Sequence, residues 1–244
     1  YIFRKSLIAA QQNRGLQTYN LQQKAIQRNP FNDNYRISFS QTNFALANSI
    51  ANQGEEELTD QDKQNIQQLI SQSVASAKNA IAINRQNSTN WQNLAGIYRN
   101  LLNYAQNAGQ WTISAYQGAI NTFPTNPQLR LQLGSLYYST GNYDQAIRHF
   151  NKAIDLKPDW ANGYYNLSHA YQQKEDWVPA FLNMQQVLAL VGRDSDDYQK
   201  VQEELAALKE KLPQQQQQTV QDQQRQESEL TTPSPLPSPR ARFE

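Results

Sequence analysis

Cysteine is absent from the chain, which removes disulfides, thiolate metal sites and cysteine nucleophiles together. It leaves the redox compartment open, because cysteine-free chains serve on both sides of a membrane. Charge is scarce as well: 18% of the 244 residues are Asp, Glu, Lys or Arg, below the roughly 25% usual for soluble domains. The 22 basic residues against 21 acidic ones give a net charge of +1, so nothing pulls nucleic acid or anionic lipid from a distance. No apolar run approaches the roughly 18 residues that a bilayer span needs, and no membrane span is expected within this chain. Only two histidines occur, His149 and His169, and neither has a carboxylate or second histidine at ligand spacing, so no metal site is expected. There is no glycine-rich phosphate loop and no G-x-S-x-G, so no cofactor is expected either. Asp144 and Asp155 lack the surroundings that an acid/base pair requires, and Glu55–Glu57 read as a solvated loop. The chain reads as a non-enzyme.

Gln, Asn, Ser, Thr and Tyr stand where charge is missing, so the surface should be polar and neutral. The sequence opens at Tyr1 without methionine and without the basic-then-apolar order of a signal peptide. Its start is already amphipathic through Ile2, Phe3, Leu7, Ile8 and Ala10. It is expected to be a processed or excised fragment of a longer chain.

One phrase recurs along the sequence. Ala25-Ile26 precedes Pro30, Ala80-Ile81 stands alone, Ala119-Ile120 precedes Pro124, and Ala153-Ile154 precedes Pro158. Each ends an apolar-periodic segment and is followed by an Asn- or Pro-rich stretch, which reads as helix stop, turn and next start. The clearest pair of units is offset by 34 residues, with Leu133 on Leu167, Tyr137 on Tyr171, Ala146 on Ala180 and Phe150 on Met184. The unit 127–160 carries Leu133-Gly134-x2-Tyr137, Gly141-x-Tyr143, Ala146-x3-Phe150 and Pro158, and lacks only a leading Trp, where Arg130 stands.

That pattern and period resemble the tetratricopeptide (TPR) repeat. Leu133 and Tyr137 need a shallow place on the second helix, which Ala146 and Ala153 supply. Gly134 should allow close helix approach, Gly141 a tight turn, and Pro158 a helix end. The expected fold is an all-α TPR solenoid of about five helical hairpins, since one hairpin cannot bury its apolar face alone. The hairpins read as 1–32, an elongated 33–87 with Thr59 as N-cap, an extended 88–126, 127–160 and 161–194. In 161–194, Ser168 replaces Gly134 and Glu175 replaces Gly141. A capping helix follows over 195–212, N-capped at Ser195, with Tyr198, Val201, Leu205, Leu208 and Leu212 on one face. The tail 213–244 is Gln- and Pro-rich and too polar to fold alone.

The resemblance implies a partner groove lined by the first helix of each hairpin. Its outward residues are Gln92 and Arg99 in one unit, Gln128, Leu131, Ser135 and Tyr138 in the next, and Asn162, Tyr165, His169 and Gln172 in the third. The chaperone-binding TPR subfamily holds a peptide carboxylate with Lys, Arg and Asn; Leu131 and Tyr165 stand where a key Lys would be needed, so that specificity is rejected. Tyr, His, Gln and Asn suit an uncharged peptide or a sugar-like surface. Two glycosylation sequons occur, at Asn87 and, inside a packed helix, at Asn166. Thr231, Thr232, Ser234 and Ser238 lie in a tract that suits O-glycosylation.

Stretches 25–51, 87–101 and 141–177 also resemble the TPR tails that follow the membrane part of bacterial O-antigen polymerase/ligase-like proteins. The resemblance implies an extracytoplasmic or cell-surface location. The expected function is a protein- or peptide-binding scaffold that associates with other copies of itself, with 214–244 as a contact and glycan as a further ligand. The alternative is a monomeric adaptor domain of a membrane-bound surface-polysaccharide enzyme.

Overall fold

The structure is a computed structural model that describes residues 1–52, 58–214 and 217. Among the described residues there are eleven α-helices and no strand. They fall into two compact units, one spanning Tyr1–Lys157 and one that begins at Pro158. The first unit holds four antiparallel hairpins: α1 (Ile2–Gln11) with α2 (Gly15–Arg28), α3 (Asp33–Ala51) with α4 (Asp60–Ile83), α5 (Ser88–Asn100) with α6 (Ala108–Thr122), and α7 (Pro127–Ser139) with α8 (Tyr143–Leu156). The second holds α9 (Ala161–Gln173) with α10 (Trp177–Leu190), and α11 (Asp196–Lys211) packs on α10.

Asparagine caps four of these helices, because its side chain satisfies a backbone N–H that the first turn leaves unpaired. The Oδ1 atoms of Asn32, Asn87, Asn126 and Asn142 accept from the backbone N–H of Tyr35, Thr89, Gln128 and Gln145. Pro127 follows its cap at the first helical position, where the missing N–H costs nothing. Thr59 forms a capping box with Asp62, as its sequence position predicts. Ser195 stands at the N-cap of α11 but makes no side-chain cap bond. Its hydroxyl donates backward to the Gly192 carbonyl at 2.7 Å instead.

The recurring Ala-Ile phrase acquires a physical meaning. Ala25, Ala80, Ala119 and Ala153 are all buried, and each carbonyl accepts the N–H four residues on, at 3.0 Å, where the helix ends. Other small residues each face a large one. A methyl group on Gly134 would lie 2.6 Å from the Phe150 ring, and a methyl on Gly118 would collide with the Trp91 ring. Phe150 is fully buried, a burial worth about 2–3 kcal/mol. In α9 the position of Gly134 is taken by Ser168, also fully buried. Its hydroxyl donates to the Ala180 carbonyl at 2.7 Å, so the larger side chain is accommodated by satisfying its polar group.

Between α3, α4 and α5 an apolar core, with Ala77, Leu94 and Ile97 packed on Phe44, Ile70 and Val74, is joined by a polar tie at the helix ends. Asn90 is fully buried, and its amide donates to the Ala80 and Asn84 carbonyls at the end of α4 and to Asp33 Oδ2 at the start of α3. Burial alone would raise the Asp33 pKa, but the bonds from Asn87, Asn90, the Asn34 N–H and Asn84 together hold it below its ordinary value.

Two non-glycine turn residues adopt the left-handed region, Asn13 at φ +56 and Glu175; asparagine tolerates it, whereas glutamate is strained there. Gly141 has φ +75, and Glu175, at the equivalent place before α10, has φ +58, a left-handed conformation that a side chain penalises by about 1 kcal/mol or more. Glu175→Gly should therefore raise stability by about 1 kcal/mol in urea unfolding; an unchanged or lowered midpoint would show that Glu175 makes a compensating contact. Gly118→Ala should instead lower stability by about 1–3 kcal/mol, since overpacking against the rigid Trp91 ring outweighs the helix-propensity gain, and the same unfolding measurement reads it.

Candidate functional site

The first helices present the predicted groove residues unequally. In the first unit Arg99, Gln128 and Ser135 are exposed, while Gln92 and Tyr138 are half-buried. Gln92 donates to the Ser88 hydroxyl at 3.0 Å, and Tyr138 meets Tyr143 edge-on at 5.6 Å. Arg99 approaches the Tyr116 hydroxyl at 3.5 Å. Burial raises the Tyr116 pKa against the opposing pull of Arg99, so this phenol stays protonated. Leu131 is a correction to the sequence reading: it is buried, at 5% exposure, because a leucine at this register is withdrawn from water rather than offered to a partner. Leu129, Leu133 and Leu136 of the same helix are buried too, so α7 presents its outward side chains from a fixed base.

In the second unit Asn162 is exposed, and Tyr165, His169 and Gln172 are half-buried. Asn162 accepts from Asn166 Nδ2, and Gln172 reaches the Ser168 hydroxyl at 3.3 Å. Tyr165 and His169 meet edge-on at 4.4 Å between ring centres, and both turn toward Glu204 of α11. The Tyr165 hydroxyl donates to Glu204 Oε1 at 3.2 Å, and His169 Nε2 lies 3.5 Å from Glu204 Oε2. Burial, then the Glu204 carboxylate and its hydrogen bond, push the Tyr165 pKa up. Burial lowers that of His169, against Glu204, which raises it. Sequence reasoning passed over Glu204, which sits in a run of charges that reads as a solvated face. Beside this cluster a cleft of about 420 Å³ opens between Trp160, Asn162, Tyr165, Val187, Asp197 and Lys200.

Other candidates take structural places. His149 stacks on Tyr137 at 5.5 Å, and its buried Nδ1 has no hydrogen-bond partner among the described residues. Burial, with Arg130 and Arg148 adding to it, lowers its pKa from 6.5 to about 4. Asp155 pairs with Lys152 at 3.1 Å on the surface, and Asp144 lies in the first turn of α8. Among the described residues no group of three metal-ligating side chains occurs, and no helix is long and apolar enough to cross a membrane. Asn87 caps α5, and its Nδ2, the atom a glycan would use, already donates to Asp33 at 3.0 Å. Asn166 lies within α9. Thr231, Thr232, Ser234, Ser238, the 218–244 part of the tail and Glu55–Glu57 lie outside the described residues.

A family model described as TPR repeat matches residues 134–175. Solved structures share the fold at low identity. MamA protein is 17% identical, with 78% of this chain and 89% of that one covered and a TM-score of 0.60. YrrB, described as a TPR protein with an unusual peptide-binding site, is 12% identical, with 84% and 91% covered and a TM-score of 0.57. A thermophilic TPR protein of Thermus thermophilus, TTC0263, is 16% identical, with 85% and 96% covered and a TM-score of 0.50. No curated protein matches. The fold is therefore an all-α solenoid of the TPR type. The resemblance to O-antigen polymerase/ligase-like tails finds no support among these matches.

His149 gives the protein an acid sensitivity with a definite sign. Its folded pKa is depressed, so it is neutral in both states above about pH 6.5; as pH falls toward about 4 the unfolded chain binds a proton that the folded chain resists, and stability is lost across that window. His149→Gln should show a smaller fall of Tm between about pH 7 and about pH 4.5 than the parent, by calorimetry; parallel Tm profiles would assign the sensitivity elsewhere.

Proposed function

We propose that the chain is a non-enzymatic scaffold that binds protein or peptide along the first helices of its hairpins. The observation that carries this reading is the outer face of α7. Gln128 and Ser135 are exposed and Tyr138 is half-buried beside them, on a helix whose inner leucines are locked in the core. Rigid presentation lowers the entropy lost on binding, and a neutral face of amide, hydroxyl and phenol reads backbone amides without demanding a charge. The peptide-binding site ascribed to YrrB supports peptide as the first ligand class to try.

The finer reading is an extracytoplasmic scaffold that associates with its own copies, with residues 214–244 as a contact. Repeat arrays have two open ends, and head-to-tail contacts between them propagate. The exposed Leu7, Ile8 and Leu16 at the start of the chain are apolar surface that such a contact would cover. The alternative reading, an adaptor domain of a membrane-bound surface-polysaccharide enzyme, rests on the sequence resemblance alone.

Two measurements test the proposal. A photo-crosslinking residue at Ser135 should trap one protein from an envelope fraction, and Tyr138→Ala should reduce that product about tenfold; trapping that ignores Tyr138 would reject the α7 face. Analytical ultracentrifugation of the full chain at two concentrations should show growth in mass, and a concentration-independent monomer would reject self-association.

A further inference from the structure

The outward face of α9 is already occupied. Tyr165 and His169 hold the register at which a first helix offers side chains to a partner, yet both point at one carboxylate, Glu204, supplied by the chain's own last helix. Around that carboxylate α11 places Val201, Leu205 and Leu208, with Leu212 just past its end, at spacings of three and four residues along one stripe. Val201, Leu208 and Leu212 are buried in one core with Phe181, Met184 and Val187 of α10. An amphipathic helix laid into an apolar groove, with an acidic residue bonded to a phenol and facing an imidazole, is thus a bound arrangement displayed within one chain.

The arrangement is also incomplete. Glu204 Oε2 and His169 Nε2 are both buried atoms that face each other at 3.5 Å without hydrogen-bond geometry. The N-cap serine of α11 spends its hydroxyl on the Gly192 carbonyl and leaves the helix without a side-chain cap. Five residues, 191–195, join α11 to α10. A segment that satisfied His169 fully would therefore gain something that the resident helix lacks.

We infer that the α9–α10 face is a docking surface for an acidic amphipathic helix of a partner protein, and that α11 is the resident occupant which such a partner displaces. This rests on the scaffold reading and names a partner class for its second unit. Tyr165 Oη is the donor already engaged with a carboxylate, and His169 Nε2, 3.5 Å from the resident carboxylate and without a hydrogen bond, is the second that a partner carboxylate would engage. A tethered competitor acts at an effective concentration of about millimolar. The surface thus rejects weak apolar segments and opens to a helix that carries the glutamate.

The probe is an unlabelled synthetic peptide of residues 195–212, added to isotopically labelled full chain so that only the chain's own amides are read. Peptide should accelerate hydrogen exchange in α11 of the chain, as the resident helix is displaced. By fluorescence anisotropy, with a dye-labelled copy of the peptide, the Glu204→Gln chain should bind about fivefold more tightly than the parent, because a charge-assisted bond in the competitor has become a neutral one. A peptide that carries Glu204→Gln should bind both chains about fivefold more weakly, and the gain should vanish when Tyr165→Phe and His169→Gln are added to the chain. Unchanged exchange in α11, equal affinity of parent and Glu204→Gln chains, or indifference to the peptide glutamate would each overturn the inference. Crosslinking through Ser135 in the first unit reads the scaffold proposal separately, so failure here leaves that result standing.

Discussion

Helix pairing within a hairpin is limited by how closely two backbones can approach, and small side chains set that distance here. Phe150 fits because Gly134 has no side chain to meet it, and Trp91 fits because Gly118 has none. The alanines near the helix ends are buried for the same reason. A core assembled this way tolerates little change in volume. Its weak points are therefore the smallest residues rather than the largest.

Where the small residue is lost, the chain compensates locally or carries strain. Ser168 replaces a glycine and is accommodated by the Ala180 carbonyl. Glu175 replaces another and keeps the left-handed backbone without a glycine's freedom. Between α3, α4 and α5, apolar packing is joined by a buried asparagine that ties three helices through their ends.

The same economy of end groups bears on binding. In the first unit, α7 keeps Gln128 and Ser135 in water above a leucine row. In the second, α11 brings Glu204 to Tyr165 and His169 and covers the face that α9 would otherwise offer. The Glu204 carboxylate accepts from the Tyr165 hydroxyl, with His169 Nε2 3.5 Å away.

By itself the sequence determined the helical class and the type of repeat. The 34-residue offset, the alanine phrase and the Asn- or Pro-rich breaks are local signals, read within one turn or one hairpin. Sequence also placed Thr59 as a cap, because capping depends on residues three apart. Only the tertiary structure decided that Leu131 is withdrawn from the surface, that Gly118 is a shelf for Trp91, and that Glu204 meets Tyr165 across 39 residues. Each of these depends on which helix lies against which face. Periodicity gives the face of a single helix, while the identity of its neighbour is set by how several helices divide a shared core.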